Sequence, residues 1–158
     1  MDQNIWEYDD FIFKGDELKG MTAKGKDKVK AGGQTDLVIP AVTPDGLPLK
    51  KIADNAFYRR GLTSVVIPDT VESIGYDAFG VCKLKEVKLP EALVNIEGFA
   101  FYRNKLTKVE FGSKVKRIEP SAFAMNELSE IALPETLEYI GASAFYKNAF
   151  ETITFPKA

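Results

Sequence analysis

A solenoid of 22-residue coils, α/β to mostly β, with a parallel strand ladder and an N-terminal cap, is the fold class this sequence predicts. Three observations carry it. An Ala-Phe pair recurs at Ala56-Phe57, Ala78-Phe79, Ala100-Phe101, Ala122-Phe123 and Ala144-Phe145, always 22 residues apart. In the same register Leu62, Leu84, Leu106, Leu128 and Phe150 form one column, and Val65, Val87, Val109, Ile131 and Ile153 form another. A third column, Ile67, Leu89, Phe111, Leu133 and Phe155, is followed by proline except after Phe111, where Gly112 stands. A unit with so few inward positions cannot close a core alone, so each must bury its apolar edge on the next.

Residues 1-34 are expected to form the cap. Phe11-Ile12-Phe13 and the stretch from Glu17 to Met21 read as a hairpin turning near Lys14-Gly15-Asp16, where Gly and Asp suit positive φ. Trp6, Tyr8, Phe11 and Phe13 then cover the first coil. The run from Lys24 to Lys30 reads as a solvated turn or short helix in preference to a nucleic-acid patch. Lys30-Ala-Gly-Gly-Gln34 lacks the lysine and helix context of a phosphate loop and reads as a linker.

Residues 35-158 read as about five full coils and a truncated last one, forming a single structural unit with the cap. The first copy, Leu37-Val38-Ile39-Pro40, is followed by an insert near Ala41 to Pro48 that should be a loop. In later coils the alternation around Val65 and Ile67 marks a short half-buried strand, stacked in parallel from coil to coil up to Glu151–Phe155. Proline after each strand ends the ladder because it has no N–H to donate. The stretch from Ser73 to Phe79 returns the chain, with Ala at the close approach between coils and Phe filling the interior. Two residues before each leading apolar position stand Arg60, Cys82, Asn104, Asn126 and Asn148, a column read as a turn cap because Asn tolerates left-handed φ and bonds turn backbone. Cys82 is then an apolar stand-in and not a reactive thiol.

Composition narrows the function. With 21 basic and 23 acidic side chains the formal charge is -2, which gives no bulk field for nucleic acid or an anionic membrane. No apolar run approaches the roughly 20 residues of a membrane span. The absence of histidine removes the commonest general base and metal ligand, and a single cysteine offers no disulfide framework or thiolate metal site. Carboxylates share no column suited to acid–base work, so neither catalysis nor a cofactor or metal is expected. Leu133-Pro-Glu-Thr136 begins like a sortase signal, but Leu137 replaces the glycine that should follow, and these residues fall on repeat columns.

Two sets of outward residues are candidate binding sites. Beside the strands lie Ser64, Glu86, Lys108, Glu130 and Thr152, next to Val66, Lys88, Glu110, Ala132 and Thr154. Rungs about 4.8 Å apart make these columns a surface spanning roughly 20 Å. Its alternating charges, with Glu86, Lys88, Lys108 and Glu110 at the centre, read either as self-neutralising ladders or as a polar protein-binding face. The second set follows the Ala-Phe pair: Tyr58-Arg59, Tyr102-Arg103 and Tyr146-Lys147, alternating with Gly80-Val81 and Ala124-Met125. Rings beside cations suit sugars and acidic peptides, although the same residues can simply cap the coil junction.

With its Ile-Pro, Ile-Gly and Ala-Phe positions, the unit resembles the BspA-like leucine-rich repeats from about Leu37 onward, and the segments Tyr8–Phe13 and Leu18–Lys26 are similar to the cap that precedes such repeats. The resemblance implies a leucine-rich-repeat solenoid from a cell-surface or secreted bacterial protein. It further implies a non-catalytic module that adheres to a protein or glycan on host or neighbouring cells, acting as a monomer without nucleic acid or membrane insertion. A structural spacer in a larger surface protein is the alternative. The chain opens without the order of a signal peptide and closes without a capping unit or anchor, as a piece of an exported protein would.

Overall fold

The computed structural model describes residues 5–156; residues 1–4 of the expected cap and residues 157–158 of the last coil lie outside it. In the cap, strands β1 (Phe11–Lys14) and β2 (Glu17–Met21) pair antiparallel through Gly15, whose φ of 59° needs no Cβ penalty. Helix α1 (Ala23–Lys30) starts where the Thr22 side chain accepts the Gly25 N–H. Its lysines serve the cap. Lys24 pairs with Asp9 and Glu7, and Lys28 meets the fully buried Asp10 at 2.6 Å while lying 5.2 Å over the Trp6 ring. The helix alternative for this basic run is therefore the one formed.

The coils contribute two kinds of strand. Strands β3 (Asp36–Val38), β5 (Ser64–Val66), β7 (Glu86–Lys88) and β9 (Lys108–Glu110) are those expected from the alternating pattern, each with its central residue inward. Strands β4 (Lys51–Ile52), β6 (Ser73–Ile74), β8 (Asn95–Ile96), β10 (Arg117–Ile118) and β11 (Tyr139–Ile140) come from the return stretch. This second set, joined to the hairpin, makes the continuous seven-stranded sheet β1-β2-β4-β6-β8-β10-β11.

The expected ladder is the interrupted one. It breaks into the pairs β3-β5 and β7-β9, and neither 130–132 nor 151–155 forms a strand. On the return edge Gly75 and Gly141 leave no room for a Cβ, which would stand 2.6 Å from the Asp54 N and 2.5 Å from the Pro120 N of the preceding coil. On the alternating edge the strands are three residues long, and the proline that ends most coils removes the donor that could lengthen them. Gly112, in place of that proline, sits where a Cβ would be 2.7 Å from the Pro90 carbonyl oxygen. As expected, the insert 41–48 is a loop, closed by a single antiparallel bridge between Val42 and Pro48.

Down the centre runs a spine of rings. Phe57, Phe79, Phe101, Phe123 and Phe145 stack with centroids 5.3–5.6 Å apart and planes within 13° of parallel, and the first four are fully buried. Around the spine each coil passes hydrogen bonds to the next, for example Phe79 N to Ala100 O and Phe101 N to Ala122 O. The asparagine column links coils as well. The Asn126 amide donates to Phe101 O at 2.9 Å and Phe123 O at 3.0 Å, and its oxygen accepts the Leu106 N–H at 3.0 Å. Asn104 and Asn148 repeat this pattern, and the Cys82 thiol donates only to Phe57 O. The column thus caps backbone as expected, but it does not take left-handed φ. That conformation falls on Asn55, Asp77, Phe99, Ser121 and Ser143 and, four residues on, Arg59, Val81, Arg103, Met125 and Lys147. These two residues bracket each Ala-Phe turn and bend it around the spine.

Candidate functional site

The outward residues of the alternating strands form a flat polar face. Register sets Glu86 opposite Lys108 and Lys88 opposite Glu110, so opposite charges stand on adjacent rungs. All four are exposed, and none makes an ion pair within 4.0 Å among the described residues. Where the ladder stops after β9, an open groove of about 780 Å³ lies between Lys88, Lys108, Glu110 and Phe111 on one side and Glu130 and Ala132 on the other.

On another flank the Ala-Phe turns present the tyrosine–cation pairs. Arg59 lies 5.4 Å over the Tyr58 ring and its Nε donates to the Tyr58 hydroxyl at 3.0 Å; Arg103 lies 5.9 Å over Tyr102 and Lys147 5.7 Å over Tyr146. The cause is local. Each cation occupies a left-handed residue, with φ of 57°, 55° and 52°, and this folds the side chain back over the ring before it. In the intervening coils Val81 and Met125 hold the same conformation behind Gly80 and Ala124, so the rings stand on alternate rungs.

The structure adds residues that the pair pattern did not reveal. Arg117 sits 4.1 Å over the Tyr139 ring on the next rung and pairs with Glu119 at 2.8 Å. Tyr76 and Phe99 are in contact, with centroids 5.4 Å apart, and Phe99 meets Tyr102 edge-on at 5.0 Å. The 22-residue spacing of Arg117 and Tyr139 was present in the sequence as a signal. Contact between Tyr76 and Phe99, one column and one coil apart, was not. At the cap, a cleft of about 630 Å³ is lined by Ile5, Trp6, Tyr8, Phe11, Val38 and Pro40.

Other candidates resolve as parts of the coil. Burial pushes the Cys82 thiol above its ordinary value, which disfavours the thiolate a reactive cysteine needs. Thr136 donates its hydroxyl to Val115 O at 2.7 Å and Leu133 packs on the core, so 133–136 are coil residues. Burial also raises the Asp77 carboxyl, and Glu97 is raised first by burial and then by the charges of Glu119 and Asp54. Among the described residues no three metal-capable side chains cluster, and no helix is long and apolar enough to cross a membrane.

Solved structures share this architecture. A leucine-rich repeat protein of T. pallidum is 27% identical, with a TM-score of 0.78 over 93% of this chain and 69% of its own. The pneumococcal vaccine antigen PcpA, 18% identical, has the same fold, with a TM-score of 0.65 over 90% of this chain and 46% of its own. No curated protein matches the chain. The BspA type leucine rich repeat region matches residues 50–158 in six copies, one more than the five Ala-Phe pairs mark out. With more than half its length in that pattern and its coils built on that plan, the chain belongs to the BspA-type leucine-rich repeat family.

Proposed function

We propose that the chain is a non-catalytic binding module of a bacterial cell-surface or secreted protein, and that it adheres to a protein or glycan on host or neighbouring cells. One observation supports this reading above others. The inward columns repeat almost unchanged while the outward residues differ from coil to coil, so the variation lies where a partner can touch it. One such outward set is the flank carrying Tyr58-Arg59, Tyr102-Arg103 and Tyr146-Lys147. Rigid rings there offer area at low entropic cost, and the exposed cations offer hydrogen-bond donors. BspA-type repeats are typically surface-associated in bacteria, which agrees with an extracellular role.

A binding screen of the chain against immobilised matrix proteins, epithelial cells and a glycan array tests the proposal, run beside a variant carrying Tyr58→Ala, Arg59→Ala, Tyr102→Ala and Arg103→Ala. Capture lost in the variant places adhesion on the tyrosine–cation flank. Capture retained moves it to the face of Glu86, Lys88, Lys108 and Glu110. A chain that captures nothing at high concentration overturns the adhesion reading in favour of a spacer.

A further inference from the structure

Of the five tyrosines in the repeats, Tyr58, Tyr102, Tyr139 and Tyr146 each carry a cation of this chain over the ring. Tyr76 is the exception among the described residues, although 47% of it is exposed. Its surroundings are not those of an idle surface residue. The ring lies across Gly98, where an added Cβ would stand 3.4 Å from ring carbons, and it leans on Phe99 to form a two-ring step.

Phe99 is itself unusual. Its column carries Asn55, Asp77, Ser121 and Ser143 in the other coils, short polar residues that tolerate the left-handed conformation, whereas a bulky aromatic at φ 58° is strained. The coil turn does not need a ring at this position, since four coils turn without one. What the ring adds is the second wall of the step.

Negative charge gathers beside the step, and the nearby Arg117 offsets it only in part because it is paired with Glu119. The Asp54 Oδ1 accepts the Tyr76 N–H at 2.8 Å, which holds that carboxylate at the backbone from which the ring projects. Glu97 precedes Gly98 in the chain. Neither Asp54 nor Glu97 makes an ion pair within 4.0 Å among the described residues, and Glu119 on the next rung is already taken by Arg117. The Glu97 carboxyl is raised first by burial and then by the like charges of Glu119 and Asp54, with Arg117 opposing them. A ring face with flanking carboxylates attracts a cation through both the ring quadrupole and the net charge.

We propose that Tyr76 and Phe99, with Asp54 and Glu97, form a cation-accepting subsite that takes one lysine or arginine side chain from a protein partner. This rests on the reading of the same flank as a binding surface, and it names what that surface selects. Arg103 lies over Tyr102, whose ring meets Phe99 edge-on, so the fitting segment presents an isolated cation in a neutral or acidic stretch and not a polybasic run. A neutral sugar would use the rings but would add no counter-charge to the carboxylates.

The test is an amide ¹H–¹⁵N titration of the whole chain with acetyl-Gly-Gly-Arg-Gly-Gly-amide, its lysine and glutamine counterparts, and glucose. The expected result is saturable shifts at Tyr76, Gly98 and Phe99 with the arginine and lysine peptides only, at millimolar affinity. Tyr76→Ala should abolish them and Glu97→Gln should weaken binding several-fold, while Glu127→Gln, a charge change on another face, leaves it unaltered. Because Glu97→Gln is isosteric and Glu97 is only half-buried, it keeps the test valid should Tyr76→Ala perturb the coil. No shift up to tens of millimolar, equal shifts with the glutamine peptide or glucose, or shifts indifferent to both substitutions would overturn the subsite. Partner capture in the adhesion screen without this titration overturns the subsite alone, and titration without capture overturns adhesion alone.

Discussion

Replacing Asn126 by alanine should be among the most destabilising single changes in the repeats, although it removes no apolar contact of note. The side chain is 7% exposed and closes three bonds of about 3.0 Å across two coils: to Phe101 O, to Phe123 O and from Leu106 N. At about 1 kcal/mol net for each bond, plus part of the penalty for stranding the buried Leu106 N–H, the cost is about 3–5 kcal/mol. Domains of this kind are stable by only about 5–15 kcal/mol, so the loss is a large share. Asn148→Ala removes the same pattern from a half-buried site and should cost less, about 1–2 kcal/mol. Urea unfolding followed by circular dichroism gives both values, with the slope of the transition checked because repeat arrays can unfold in parts. Asn126→Asp separates geometry from size: its carboxylate can still accept from Leu106 N but faces two carbonyl oxygens with no proton to give. It should be at least as unstable as the alanine variant at neutral pH and recover on acidification. An Asn126→Ala cost below about 1 kcal/mol at unchanged slope would show that the asparagine column follows the fold and does not hold it.

Three further outcomes follow from other columns. Val81 is a β-branched residue held at φ 53°, so Val81→Asn should stabilise the chain by about 1 kcal/mol, read as a higher urea midpoint; a lower midpoint would mean that its packing outweighs the strain. Asp77 has a buried oxygen without a partner and a folded-state carboxyl raised above its ordinary 3.8, so its ionised form opposes folding above that value and the opposition fades as pH falls through the raised value towards 3.8. Asp77→Asn should therefore raise the melting temperature at pH 7 and lose its advantage in acid, and an unchanged melting temperature at both would contradict this. Cys82 should react with a thiol reagent only after denaturation, and rapid labelling of the folded chain would show the coil opening around it.

Much of the candidate surface was legible because it obeys the period. Tyr58, Tyr102 and Tyr146 share one column and their cations the next, so the pairs could be read directly, and the strands gave Glu86, Lys88, Lys108 and Glu110 their common face. What the period did not show is which neighbour a ring touches. Tyr76 meets Phe99 diagonally, across coils and columns, through the gap left at Gly98, and that depends on backbone spacing. The location of left-handed φ was likewise hidden. Asparagine is the expected residue there, yet Asn104 and Asn126 are drawn inward by buried backbone groups, and the strain falls on residues as unsuited as Val81 and Phe99.

By itself, the sequence determined the solenoid, its 22-residue coil, the cap hairpin and the inward columns, because burial of apolar side chains at a fixed period admits few alternatives. Only the tertiary structure decided which of two strand edges becomes the continuous sheet. Both recur at the same period, but ladder bonds run unbroken only from β4 to β11, and on the other edge the proline after most strands withholds the donor that would extend them. The stacking of coils, a property of no single coil, therefore set both the sheet and the pairing of the surface rings.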